Sequence, residues 1–220
     1  MDDQKEVKRG ALILFEGLDR SGKSTQANLL LNSLKDKGIA VQLIQFPDRK
    51  TEIGRLIDSY LKSKVDLSNE ALHLLFSANR WERSNEIREL LLSGTTVILD
   101  RYVYSGVAYS VAKGLPYGWC IESDRGLPSP DLIIHCNIPV EEIMRRKGYG
   151  EERHDCKELL SKVSRVYDII KSGSMISNYT AFPIWYTLDG TRSIDYIKSS
   201  VDEMTMEVLA SCGDAKIATL

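Results

Sequence analysis

Five short apolar runs punctuate the chain: "ALILFEG" from Ala11, "VQLIQFP" from Val41, "TTVILDRY" from Thr95, "DLIIHCNI" from Asp131 and "FPIWYTLDG" from Phe182. Each reads as a strand, and the first, extended to "GALILFEG", is continuous enough for one buried on both faces of a parallel sheet. Between the runs the spacing becomes helical. "KSTQANLLLNSLKDKG" carries Leu29, Leu30 and Leu34 and stops at Gly38; further helices are predicted near Glu52 to Lys62, Ser68 to Leu92, Val140 to Arg146, Lys157 to Ile170 and Ser193 to Ala210. Alternating strands and helices predict an α/β fold with a five-stranded parallel sheet, helices on both faces and right-handed crossovers.

In such sheets ligands gather beyond the carboxyl ends of the strands. Polar signals stand at those places: Asp19-Arg20, Asp48-Arg49 and Asp100-Arg101 follow the first three runs. One such pair is unremarkable, since a surface ion pair contributes little. Three on one rim would gather planar guanidinium forks suited to phosphate oxygens.

The loop after the first run sharpens this. "FEGLDRSGKST" fits G-x-x-x-x-G-K-[ST] from Gly17 to Ser24, between a strand and a helix. In that setting backbone N–H groups turn inward around phosphates, Lys23 adds a charge, the Ser24 hydroxyl suits Mg²⁺, and the helix N-terminus adds its dipole. The chain is therefore expected to have a P-loop NTPase fold. Asp100 closes "VILD" and would orient Mg²⁺ directly or through water. "RRKGYGEERHD", Arg145 to Asp155, is charged and glycine-hinged, as a mobile lid closing over triphosphate would be. On the helix holding "HLLFSANRWE", Phe76 and Arg80 share a face; they suit either core packing or a platform and edge contact for a nucleobase. Trp81 reads as core or interface, and His73 and His135 as structural.

Composition narrows the field. A length of 220 residues predicts one domain, 1–220, with its core at about 10–210 and its lid at about 145–156; the first nine and roughly the last ten residues are expected to be frayed. A net charge of −2 gives no global field to recruit nucleic acid. No apolar stretch is long enough to span a membrane, and no secretory apolar segment follows the start, so a cytoplasmic protein, with a nuclear pool allowed, is expected. Cys120, Cys136, Cys156 and Cys212 lack C-x-x-C spacing and read as free thiols.

With "FEGLDRSGKSTQ", "FPDR", "TEIG", "HLLFSANRWE", "ILDRYVYSGVAYS", "GLPSPDL" and "YGEERHD" in view, the chain resembles the thymidylate kinase family in its eukaryotic-type branch, from about Gly10 to about Ser200. The resemblance implies transfer of the ATP γ-phosphoryl to dTMP with Mg²⁺, and a homodimer formed through helices away from the lid. It assigns Gly17, Arg20, Ser21, Gly22, Lys23, Ser24, Thr25, Arg146 and Arg192 to ATP, and Ser24 and Asp100 to the metal. To dTMP it assigns Asp19 (at the 3′-hydroxyl), Phe46, Arg49 and Arg101 (at the monophosphate), Phe76 and Arg80 (at the thymine), Ser105, Gly106, Tyr109 (at the 2′ carbon) and His154. It makes Arg20, Lys23, Asp100 and Arg101 catalytic. Relatives of bacterial type take their catalytic arginine from the lid; here Arg20 stands in the loop. The family's lid commonly has tyrosine where this chain has His154. Either the lid contacts are altered or the histidine is tolerated, and pH–rate profiles of wild type and His154→Tyr separate the two.

Two other readings stay open at this level. One is a kinase for another nucleoside monophosphate or a deoxynucleoside, which an acceptor panel would reveal. The other is a nucleotide-binding switch, although the N-K-x-D guanine motif of GTPases is absent from the sequence.

Overall fold

The protein is described by a computed structural model covering residues 8–150, 152–173 and 183–220; Phe182, where the fifth predicted strand begins, and Glu151 of the lid segment lie outside the described residues. Five parallel strands form one sheet: β1 (Leu12–Glu16), β2 (Val41–Gln45), β3 (Thr96–Asp100), β4 (Leu132–Asn137) and β5 (Ile184–Asp189), in the order β2-β3-β1-β4-β5. The order reverses beside β1, so the crevice at its carboxyl end is the expected ligand site. All five residues of β1 are buried.

Strand alternation divides the core. Leu12 and Leu14 point to one side with Val97, Leu99 and Ile133; Ala11, Ile13 and Phe15 point to the other with Ile98, Leu132 and Ile134. The first side is covered by α4 (Ser84–Leu92), α5 (Val103–Ala112) and α8 (Lys157–Lys171), the second by α1 (Lys23–Asp36) and α9 (Ile194–Cys212). Apart from α5, these helices present apolar side chains at three- and four-residue spacing, so burying that face against the sheet is the main stabilising term. A satellite cluster joins α2 (Glu52–Leu61) to α3 (Asn69–Trp81) through Ile57, Tyr60, Leu61 and Leu72. Thr51, Ser68 and Ser193 cap α2, α3 and α9 by accepting from Gly54, Ala71 and Tyr196 N–H.

Several expectations need correction. The single helix expected over Ser68–Leu92 is two, α3 and α4, separated at Glu82 and Arg83. The chain turns there so that Arg80 is buried against α5 and Asp124 while Ile87 and Leu91 reach the sheet core. The third strand ends at Asp100, because Arg101 takes a left-handed backbone (φ 70) and α5 begins at Val103. Helix α5 itself escapes the periodicity: Val103 through Ser110 are all buried, and a helix enclosed on every side shows no polar face. Two short helices, α6 (Tyr117–Glu122) and α7 (Val140–Arg145), complete the set, the first unanticipated. The last residues are pinned, contrary to the expected fraying. Thr219 bridges Pro128, the Leu220 N–H donates to Leu127 O, the Gly126 N–H donates to Leu220 O, and Ile217 and Leu220 pack on the core.

Candidate active site

Beyond β1 the chain turns at Gly22, whose left-handed backbone (φ 99) suits glycine, into α1. No side chain caps α1, so its first N–H groups remain available to an anion. Gly22, Lys23, Ser24 and Thr25 line a wide chamber with Arg20, Asp100, Arg101 and Arg146. Gly17 and Ser21 sit behind them, packed toward Cys136 and Leu18. The Lys23 ammonium is buried and donates to Leu18 O at 2.5 Å; burial and then Arg101 pull its pKa down to about 8, against Asp19 and Asp100. The Ser24 hydroxyl donates to Asp100 Oδ2 at 2.5 Å, and Gln45 donates to the same oxygen at 3.2 Å. Asp100 Oδ1 is buried without a partner among the described residues.

Next to this chamber lies a more enclosed one, and all ten residues assigned to dTMP line it. Asp19, Phe46, Arg49 and Arg101 border both chambers. Asp19 accepts from Arg101 and, at 2.9 Å, from the Tyr109 hydroxyl. Burial alone would raise its pKa, but Arg101 and Lys23 hold the carboxyl well below the usual range. Arg101 also donates to Ser105 Oγ at 2.9 Å. Deeper in, Arg80 is 2 % exposed; its Nε and Nη2 grip Asp124 at 3.0 and 2.6 Å. A Cβ at Gly106 would lie 2.9 Å from Arg80 Nη1 and Nη2, so the absence of a side chain there lets the guanidinium approach α5. Phe76, one turn before Arg80 on α3, also packs against the satellite cluster.

The segment after α7 spans both chambers. Arg20, itself in a left-handed backbone (φ 61), donates to Asp155 at 2.8 Å and to the Gly148 carbonyl. Arg146 returns to Arg20 O at 2.5 Å and Gly190 O at 3.1 Å. At the other end Glu152 meets Arg49 at 2.8 Å, and His154 stacks on Tyr109 with ring centroids 5.2 Å apart. Backbone strain at both Arg20 and Arg101, within this one site, is the sort that functional loops retain.

Arg192 stands apart: it follows β5, lines neither chamber, pairs with Asp189 at 3.4 Å and lies over the Tyr196 ring. His73 is enclosed by Ser110, Cys120 and Ser123, and His135 is buried on β4. Trp81 is partly exposed, with its indole N–H on Ser123 O at 2.9 Å.

Comparison with known proteins bears on the family and the fold. A family model described as "Thymidylate kinase" matches residues 15–200. The thymidylate kinase of Plasmodium falciparum is 44% identical over 202 residues, 91% of each chain. That of Schizosaccharomyces pombe is 44% identical over 200 residues, 91% of this chain and 93% of its own. A solved thymidylate kinase structure from Candida albicans is 38% identical with a TM-score of 0.83, over 96% of this chain and 98% of that one. The chain belongs to the thymidylate kinase family.

Sequence reasoning missed three supports in this member of the thymidylate kinase family, two of them, Glu16 and Asp124, fully buried. Glu16 accepts from the Tyr102 and Ser105 N–H groups and from the Ser105 and Tyr167 hydroxyls, fixing the start of α5 beside Arg101. Asp124 anchors Arg80 and also accepts from Ser77 at 2.9 Å. Lys113 reaches the lid. Glu16 stood inside the quoted loop, where its wholly apolar neighbours were a signal: a carboxylate among them must find donors. Asp124 and Lys113 carry no local signal, because their partners lie 44 and 41 residues away.

Proposed function

We infer that this chain is an ATP-dependent thymidylate kinase, transferring the γ-phosphoryl of ATP to the 5′-phosphate of dTMP to give dTDP and ADP. The observation that carries this reading is the pair of adjoining chambers with Asp19, Arg49 and Arg101 on their common border. One chamber has the amide, lysine and arginine lining of a polyphosphate cradle; the other is enclosed, part aromatic, and polar at both ends.

In this reading Lys23 and the first N–H groups of α1 hold the donor phosphates, while Arg49 and Arg101 hold the acceptor phosphate in line with them. Phosphoryl transfer needs little from the protein beyond such positioning and neutralisation of charge. Arg20 gives up its lid partners to reach the transferring group, and Arg146 approaches from the donor side. Asp19, kept ionised, accepts from the sugar; Tyr109 limits the room at its 2′ carbon; Phe76 and Arg80 address the base. The residues also fit Mg²⁺: an orphaned carboxylate oxygen on Asp100 beside the Ser24 hydroxyl offers hard ligands, with phosphates and water completing the shell. When bound, the ion neutralises negative charge on the phosphates.

The chain acts as one catalytic domain, with the lid at about 145–156 closing over it. Homodimer formation is supported by Leu74, Trp81 and Trp119, large apolar side chains exposed on α3 and α6; sedimentation at increasing concentration tests it. Four free thiols suit a reducing, cytoplasmic setting. Among the described residues no helix is long and apolar enough to cross a membrane.

The deciding experiment measures ADP release with ATP, Mg²⁺ and each nucleoside monophosphate in turn. Release is expected to be fastest with dTMP; preference for UMP or CMP, or ATP consumption independent of any acceptor, would overturn the assignment.

A further inference from the structure

Among the described residues, one cation lining the acceptor chamber is left unused by the phosphoryl-transfer scheme. Lys113, at the end of α5, lines this chamber, and its Nζ lies 2.7 Å from Nε2 of His154 and 3.5 Å from the Tyr60 hydroxyl. His154 is 7 % exposed and sandwiched by rings, stacked on Tyr109 and edge-on to Tyr60 at 6.1 Å.

We propose that Lys113 is a positioning residue for the acceptor half of the reaction, donating its ammonium to His154 and so latching the lid to α5 across the acceptor chamber. This rests on the thymidylate kinase reading above.

Three observations carry it. First, an ammonium has no lone pair, so the imidazole must accept; Nε2 is unprotonated and the ring proton sits on Nδ1. Burial, and after it the Lys113 charge, push His154 down to about 3, so the neutral form needed for this bond is the stable one. Second, among the described residues the lid's ion pairs to chamber-lining arginines use groups that phosphates also require; Arg153 pairs with Asp66 at 2.6 Å outside both chambers. Asp155 holds Arg20 and Glu152 holds Arg49, and both arginines must turn to substrate in the working enzyme. The Lys113–His154 bond draws on no phosphate-directed cation and persists when those pairs exchange. Third, the latch is continuous with the sugar end of the chamber: His154 stacks on Tyr109, and Tyr109 donates to Asp19. The neighbouring Arg153 N–H, donating to Leu61 O at 3.0 Å, ties the same segment to the end of α2.

The test is a double-mutant cycle on the full chain: wild type, Lys113→Met, His154→Phe and the double variant, each assayed for kcat and for the KM of dTMP and of ATP. A hydrogen bond to a charged group of this kind predicts about a tenfold rise in the KM for dTMP with Lys113→Met. The KM for ATP should change by less than about twofold, and Lys113→Met should add nothing in the His154→Phe background. Lys113→Gln, which keeps a donor, should recover part of the loss and serves in the cycle if the methionine variant does not fold. Additive effects in the double variant, or equal rises in both KM values, would overturn the latch. Wild-type protein inert toward dTMP would instead overturn the kinase reading, so the two failures are distinguishable.

Discussion

The two halves of the cleft are built differently. In the proposed reading the donor half comes mainly from one contiguous stretch, Gly17 to Thr25, where main-chain amides and a helix end would do much of the binding. The acceptor half draws side chains from the β1–α1 loop, the end of β2, α3, α5 and the lid, and brings Asp19 together with His154, 135 positions later. A main-chain site is written into local conformation; a side-chain site is written into packing. Damage should differ accordingly: turnover for the donor half, acceptor binding and stability for the other.

Arg20→Ala should produce the largest effect, lowering kcat by about a thousandfold with smaller changes in either KM, since an arginine acting on the transferring phosphoryl is felt in the transition state. Single-turnover kinetics check this, and an unaltered rate would move the catalytic charge to another residue.

Asp124→Asn strikes the other half. It leaves the buried Arg80 guanidinium without its counter-charge, and breaking such a pair from one side costs about 3–5 kcal/mol. Urea unfolding should show the loss, and the folded variant should have a raised KM for dTMP and an unaltered one for ATP. Equal damage to both substrates would erase the distinction between the halves.

The lid histidine offers a pH contrast of intermediate size. Around His154 stand Lys113, Asp19, Arg101 and Arg153 and the phenols of Tyr60 and Tyr109. In an open lid the imidazole titrates near its ordinary value of about 6.5. In the closed lid burial and Lys113 push it down to about 3. The open form therefore binds the extra proton. The histidine's contribution to closure is fully present above about pH 6.5 and is lost as pH falls toward 3, by about 2 kcal/mol at pH 5. Wild-type kcat/KM for dTMP should fall more steeply below pH 6.5 than that of His154→Tyr, the titration of the substrate phosphate being common to both. Coincident profiles would mean that the histidine is merely accommodated.

Arg192→Ala should do least, changing the KM for ATP by less than about twofold, because its guanidinium is exposed and turned to Asp189 and Tyr196. A larger change would extend the donor half beyond the residues lining its chamber.

Much of this molecule was legible beforehand, for identifiable reasons. The five strands and their parallel order of layers followed from apolar runs alternating with helical spacing. The phosphate loop followed from glycine and lysine positions whose conformational meaning is local. Helix α5 was hidden because it is enclosed on all sides and lacks a polar stripe. The break at Glu82–Arg83 was hidden because both flanking segments are good helices, and only the need to face different partners separates them. The C-terminal residues were misjudged because chain ends are ordinarily frayed, whereas Ile217 and Leu220 find apolar seats that the sequence does not advertise. Phe76 and Arg80 alone could have been core or site; family resemblance, rather than their own spacing, favoured the site.

The amino-acid sequence by itself determined what depends on near neighbours: which segments extend, which coil, where the chain can cradle phosphate, and which charges stand at strand ends. Tertiary structure decided how those charges are spent. It buried Arg80 on Asp124, set Glu16 beneath Ser105 and brought Lys113 to His154. Such pairings join positions far apart in the chain, and only the burial of the two sheet faces brings them within hydrogen-bonding distance.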